Sequence, residues 1–546
     1  MCATDSGVRA AQLRSLSSPR DRGVGSRPGA IPDGRRDEPL RVLTKLRYAL
    51  VGVLSALAGM GVGHLVAAVT QPESSPVLAV GETVIDHTPT PVKNWAIAHF
   101  GTHDKTILVG SVLIGVLVLA GVAGALAHRA FRYGAGVLVL LVGVALYAAL
   151  SRPVVHPVDA LPGIVTAVVG VATLWLLVHL DQHRGTTDTR AGSTAPSRRA
   201  VLLGIGGVAV VAAAGGYAGR VIAHSRAAIG NVTLPRPKSP AKAFPAGLDR
   251  KVPGITPFRT TVDDFYRVDT RLSLPIVDAG SWELVIDGDV ARSQSFSFDD
   301  LLAMPLIERD ITLTCVSNEI GGPYVGGARW LGVPLRTLLD KAGVGRSSDQ
   351  ILSTDVDGMT ISTPLALATD GRDAMIAVGM NGEPLPRAHG FPARMVVPGL
   401  YGFISACKWI NRMTLTTYAD HSAYWTDRGW AEDAPIKIES RIDTPQGLQH
   451  VKAGRTFIGG IAWAQPIGVG AVEVQVDGGR WQKATLGPSA GHDYWRQWYL
   501  EWDARPGQHQ LACRATDREG HVQTTARTSP FPNGASGVQK IQVSVT

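Results

Sequence analysis

The distribution of apolar residues divides the chain in two. Up to about residue 224, long apolar runs recur near 46–69, 106–127, 134–150, 163–180 and 200–223. Each has roughly the 17–25 residues that a bilayer-spanning helix requires. None carries the polar stripe of an amphipathic core helix. Five transmembrane helices are therefore expected over 46–224. The tail before them, 1–45, is rich in Arg, Ser, Gly and Pro, and a disordered segment is expected there.

After a Pro-rich linker, 225–257, the pattern shortens. Trp282 to Gly288 reads as a strand entering an Asp-Gly turn, and Phe298–Met304 and Val333–Ala342 read as short helices. Asp357-Gly358 and Asn381-Gly382 are further turn signals, so 258–430 is expected to be mixed α+β. From 431 to 546 the texture is strands alone. Val472, Val474 and Val476 alternate with polar residues, as do Trp498, Leu500 and Trp502, and Leu511, Cys513 and Ala515. Short alternating strands between turns predict a β-sandwich of immunoglobulin-like type.

One stretch stands apart. In Ile311–Trp330, ITLTCVSNEIGGPYVGGARW, the alternation of Ile311, Leu313 and Cys315 predicts a half-buried strand, and Gly321, Gly322, Gly326 and Gly327 predict a loop after it. A thiol at a strand end beside glycine-rich backbone sits where a bulky ligand can approach closely. The other three cysteines, Cys2, Cys407 and Cys513, are too scattered for a disulfide framework or a zinc site, and Cys513 reads as core.

Charge refines the membrane half. The formal net charge of +8 would suit a polyanion, but the basic residues gather in the tail and in short loops beside apolar runs. That is membrane patterning and argues against nucleic acid. Arg129, Arg132, Arg184, Arg190, Arg198 and Arg199 lie in alternate connections, which predicts a cytoplasmic N-terminus and everything after residue 224 outside the cytoplasmic membrane. Ser197-Arg198-Arg199 ahead of the fifth run resembles an internal twin-arginine export signal, a route for domains folded around a cofactor. His64, His128, His179 and His224 lie in or near the spans, but helix-end histidines are common and haem is not expected.

The strand TLTCVSN, the run Met380–Arg394 (MNGEPLPRAHGFPAR), Val397–Gly402 and Lys408-Trp409 together resemble, in order, the sulfite oxidase family of molybdopterin enzymes. The resemblance covers about Thr261 to the C-terminus and implies a sulfite-oxidase-type molybdopterin domain followed by a dimerisation-type domain, which admits a homodimer. It implies molybdenum held by a pterin dithiolene and by Cys315, a soft ligand for that ion. His389, Arg394 and Lys408 match positions that hold the pterin phosphate, and Ser405 to Cys407 should run past it, one residue longer than in typical sulfite oxidases. Tyr266, Arg267 and Asp269 lie in the first cofactor-contacting segment, whose usual Asn-His end is Val268-Asp269 here. Asp355 or Asp357 is expected at the pterin's amino edge.

Departures from the family carry information on substrate. Positions where sulfite oxidases place substrate arginines read Glu319-Ile320 and Gly468-Val469, and Trp430 falls near their active-site tyrosine. The pattern is nearer the family's bacterial periplasmic branch, which includes the protein-methionine-sulfoxide reductase catalytic subunit. The expectation is an extracytoplasmic molybdenum oxidoreductase acting on a small molecule, favouring reduction of a neutral S-oxide or N-oxide. Its electrons would come from a redox protein or a quinone-linked carrier. Alternatives are a sulfite oxidase or dehydrogenase, and, from another class, a non-catalytic membrane binding module.

Overall fold

The computed structural model describes residues 38–89, 103–182 and 232–546, with single residues and short runs between 92 and 100 and between 206 and 222. The tail before Glu38, the Arg198-Arg199 pair, His224 and part of the fifth apolar run lie outside the described residues.

The first four apolar runs fold as helices long and apolar enough to cross a membrane. They are α1 (Glu38–Val69), α3 (Asp104–Ala127), α4 (Phe131–Leu150) and α5 (Leu161–Gln182). Glycine brings α1 and α3 into backbone contact: a Cβ on Gly52 would lie 2.0 Å from the Ala120 carbonyl oxygen, and one on Gly124 would lie 1.9 Å from that of Tyr48. Small residues at the contact are how helices pack where lipid gives no hydrophobic drive. Outward faces stay apolar, with Ile114, Leu140, Tyr147 and Val168 all more than 60% exposed. The described histidines have neighbours: His128 lies against Tyr48, His179 stacks on Trp175, and His64 meets the Ser75 hydroxyl.

The pattern reading gave no element between the first two spans, yet α2 (Pro76–His87) forms there, with Pro at its first position. Its Val77 and Val80 face the bundle, while Glu82, Thr83 and Asp86 face the domain that follows. Residues 48–546 form one unit.

The next domain holds two sheets. In one, β2 (Gln294–Ser297), β1 (Glu283–Gly288), β10 (Ile410–Thr416), β5 (Gln350–Asp355) and β6 (Thr360–Pro364) lie in that order. In the other, β3 (Ile307–Thr314), β4 (Val325–Pro334), β7 (Met375–Met380) and β8 (Glu383–Pro384) are consecutive, with β9 (Arg394–Val396) on β7. Helices α6 (Phe298–Ala303) and α7 (Leu335–Ala342) fall where the pattern put them. Ser297 caps α6 through a reciprocal box with Asp300, and Gly343 ends α7 in a left-handed turn. Asn381-Gly382, both at positive φ, turn β7 into β8.

Three expectations need correction. The second half of β3, Ile311–Thr314, is buried on both faces, because residues 493–495 cover the threonine side: Thr312 N–H donates to the Asp493 carbonyl, and its hydroxyl accepts from Trp495 N–H. Gly326 and Gly327 belong to β4, not to the loop. They are glycines because aromatic rings pack on them, Phe265 2.7 Å from the Cβ position of one and Tyr494 equally close to that of the other. The stretch before Pro257 is no free tether either, since Val252 and Ile255 are buried and Leu248 N–H donates to Gln497.

The last region is β throughout. One sheet orders β11 (Glu439–Thr444), β13 (Gly454–Trp463), β17 (Arg496–Ala504) and β16 (Thr485–Leu486). The other orders β12 (His450–Val451), β19 (Gln539–Val545), β18 (Gly507–Asp517), β14 (Val469–Val476) and β15 (Gln482–Lys483). They share one core in which Ile458, Trp498, Val472, Val474, Leu511 and Cys513 are buried.

Candidate functional site

Cys315 follows directly on β3 and faces a cleft. The Ser317 N–H points at its sulfur from 3.4 Å. Burial pushes the thiol pKa up, while that N–H and Lys408 pull the other way. A proton is therefore held on the sulfur until a cation replaces it.

The cleft walls also include Phe265, Tyr266, Asp269, Asp355, His389 and Arg394. Lys408 and Trp430 complete the residues that the pattern reading had picked out there. Arg394 lies on β9 and is 5% exposed, and its guanidinium donates only to the carbonyls of Met395, His389 and Ala406. Among the described residues no carboxylate pairs with it. Burial brings its pKa down to about 10 and that of Lys408 to about 8. Two buried cations, of which Arg394 has no carboxylate partner among the described residues, make the cleft an anion receptor of the kind that a phosphate fills. His389 is held neutral by burial, down to about 4, with Nε2 3.1 Å from the Val262 carbonyl oxygen.

Asp269 is a hub. Its carboxylate takes Lys408 at 2.6 Å, Arg267 at 2.8 Å and, from the first turn of α3, Lys105 at 2.9 Å. Burial opposes its charge, but Lys408, Lys105 and Arg267 hold its pKa well below the usual carboxylate range. Arg267 is thereby turned onto Asp269 and is not among the residues lining the cleft. Of the two candidate aspartates, Asp355 lines the cleft and Asp357 lies in the neighbouring cavity; Arg271 bonds both.

Ser405 is a correction. Its side chain is fully buried and its hydroxyl is used locally, donating toward the Leu400 and Tyr401 carbonyls, while Ala406 and Cys407 line the cleft instead. Glu319 is exposed and lies outside the cleft lining, as does Gly468, which abuts His492. Trp430 does line it, within an aromatic cluster of Phe403 at 5.6 Å, Trp425 at 6.1 Å and Phe531 at 5.2 Å. Arg271, 8% exposed and in the cleft wall, was not picked out from the sequence. Its position two residues after Asp269 was the available signal.

The oxidoreductase molybdopterin binding domain family matches residues 271–425. Mitochondrial sulfite oxidase of Rattus norvegicus is 30% identical over 318 residues, covering 49% of this chain and 58% of that protein. An inducible NADH nitrate reductase of Glycine max is 28% identical over 308 residues, covering 44% of this chain and 34% of that one. Among solved structures, the sulfane dehydrogenase SoxCD of Paracoccus pantotrophus is similar, with 24% identity, 52% and 81% coverage of the two chains and a TM-score of 0.47. The chain thus spans less than two thirds of the first of these relatives, and the matched residues 271–425 include Cys315, Arg394 and Lys408. The chain is a molybdopterin-dependent oxidoreductase by its domain at 271–425, and about half of it is similar to the sulfite oxidases.

Proposed function

We propose that the chain is a membrane-anchored oxidoreductase that reduces a neutral S-oxide or N-oxide at a molybdenum–pterin centre outside the cytoplasmic membrane. On this reading 258–430 is the cofactor domain and 431–546 an immunoglobulin-like second domain. The cleft's donor set fits the group. Cys315 offers the soft sulfur that the metal needs, Arg394 and Lys408 offer buried cations to the pterin phosphate, and Asp355 offers a carboxylate to its amino edge. When bound, the group supplies two-electron oxo-transfer chemistry.

The chain's own residues bind, orient and exclude water. His389, neutral and tied to the Val262 carbonyl, offers an uncharged edge beside Arg394. Phe265 and Tyr266 stack at 5.2 Å and stiffen the wall next to Cys315. Trp430, Phe403 and Trp425 give the cleft an apolar aromatic side, suited to an uncharged substrate.

The observation that carries the neutral-substrate reading is the charge balance of the wall. Lys408 is engaged by Asp269, and Arg271 by Asp355 and Asp357. Arg394 is the cation of the cleft wall without a carboxylate among the described residues, and the cofactor phosphate claims it. A hydrated dianion would then meet no uncommitted cation to replace its water. Sulfite oxidation is the second reading, favoured by the activity for which the rat relative is named.

Molybdenum and pterin analysis of the purified chain, with Cys315→Ser alongside, tests the cofactor assignment. Both components are expected in the wild type, and their absence from it would end the proposal. For orientation, an export-dependent reporter fused at Thr546 should be active and one fused at Asp188 silent; the opposite pattern would reverse the topology.

A further inference from the structure

Beside the cofactor cleft lies a second cavity, of about 230 Å³, at the junction between the helical bundle and the cofactor domain. Its floor comes from α2 (Glu82, Asp86) and the end of α4 (Ala148, Arg152), and its roof from the cofactor domain (Tyr424, Arg428). Arg271 and Met359 line both this cavity and the cofactor cleft, so one layer of side chains separates the two. On the opposite side, one helical turn away along both helices, a narrow crevice of about 50 Å³ enters the bundle. Val77 and Val80 of α2, Leu141 and Ala145 of α4 and Val112 and Val116 of α3 line it. Small side chains, Ala79, Ala148 and Ala149, pack together where α2 meets α4.

Glu82 is the chemically distinctive group of the cavity. Its Oε1 is buried and without a hydrogen-bond partner among the described residues, while Oε2 lies 3.9 Å from Arg152. A buried oxygen of this kind costs free energy unless something donates to it. Burial raises the carboxyl to about 7, with Arg152 and Arg271 pulling down and Glu73 and Asp357 pushing further up. Asp86 faces the same space, where its carboxylate accepts from the Tyr424 hydroxyl at 2.9 Å.

We propose that this junction is a quinol site: the headgroup occupies the polar cavity with one hydroxyl donating to Glu82 Oε1, and the apolar tail lies in the crevice between α2, α3 and α4. A lipid-phase carrier with a polar two-proton head and a hydrocarbon tail fits a polar cavity above an apolar crevice. The position, between bilayer-length helices and the wall of the cofactor cleft, is where electrons from the membrane are needed. The inference rests on the reductase reading above. The overall exchange balances as quinol plus S-oxide giving quinone, sulfide and water. Two O–H bonds of the quinol and the S=O bond break, two O–H bonds of water form, and two electrons pass from quinol to substrate. Glu82 receives one of the quinol protons.

The test uses the full chain in lipid nanodiscs with decylubiquinol as donor, beside reduced viologen, which needs no quinol site. Solvent extraction measures bound quinone directly. The wild type should retain quinone and reduce a sulfoxide with either donor. Val80→Trp, which fills the crevice, should raise the KM for decylubiquinol about tenfold or more while viologen-driven turnover is unchanged. Glu82→Gln should lower the quinol-driven kcat by about a hundredfold and move the KM little. Wild-type extracts holding phospholipid but no quinone, or a Val80→Trp protein with unaltered decylubiquinol KM, would overturn the inference. Turnover with neither donor would sink the reductase reading instead, and the extraction would still decide whether the quinone binds.

Discussion

Two buried thiols, Cys315 just past the end of a strand and Cys513 within one, show what separates a reactive site from a core. Both look alike in the sequence, each closing or continuing an alternating apolar run. Cys513 has Val472, Val474, Trp498 and Leu511 in its cluster and is 0% exposed. Cys315 is 8% exposed and shares a cleft with Arg394, Lys408 and Asp269. Burial raises both thiols, Cys513 to about 12, and a cation opposes it at each: Arg441 at Cys513, and at Cys315 the cleft residue Lys408. The difference lies in the wall opposite, which comes from chain encoded far downstream.

Replacing each thiol should separate these roles most strongly. Cys315→Ser should abolish turnover while leaving the thermal midpoint nearly unchanged. A Cys315→Ser enzyme with wild-type rates would erase the distinction. Cys407, which also lines the cleft, gives an internal control: Cys407→Ser should retain most activity, because its sulfur makes only a 3.8 Å contact with the Lys408 carbonyl.

Next in size is Arg394→Met, which keeps bulk and removes charge. Losing a charge-assisted grip costs about 1.5–3 kcal/mol, or roughly tenfold to a hundredfold in cofactor retention. Molybdenum per chain after prolonged dialysis reads the effect, and wild-type retention would show that the phosphate lies elsewhere.

Lys408 predicts a pH dependence. Its pKa is lowered to about 8 in the cleft, so in the ligand-free protein it gives up its proton as pH rises through 8, and a bound phosphate would hold the proton on. Phosphate affinity is therefore full below pH 8 and should fall up to about tenfold per unit above it. Cofactor release should accelerate from pH 8 to 9.5, and Lys408→Arg should flatten that rise. A flat wild-type profile would disconnect Lys408 from the phosphate.

The smallest effect belongs to the core thiol. Cys513→Ser should lower stability by about 1–3 kcal/mol, by burying a hydroxyl with poor partners. Activity at permissive temperature should be untouched.

What was legible in the sequence follows from the same contrast. Local periodicity and caps located the first four bilayer-length helices, α6, α7 and the strands β14, β17 and β18. The motif around Cys315, Met380–Arg394 and Lys408 located the cleft. What escaped was set by partners distant in the chain. Thr312 is buried because residues 493–495 cover it, and Arg271 matters because Asp355 lies 84 residues on. Helix α2 was missed because a short segment between two spans reads as loop until the domain facing its acids is present. Glu319 was expected at the substrate pocket from alignment of motifs, but the loop turns it to solvent.

The central claim, a neutral substrate at a molybdenum centre whose surrounding cations are already committed, is tested most directly by one comparison on the cofactor-loaded protein. Steady-state reduction of methyl and aryl sulfoxides with reduced viologen is set against oxidation of sulfite with a dye acceptor. The account predicts efficient sulfoxide reduction, and for sulfite a kcat/KM lower by at least about a hundredfold, the equivalent of two lost charge-assisted contacts. Efficient sulfite oxidation with a micromolar-range KM, and no sulfoxide turnover, would contradict it.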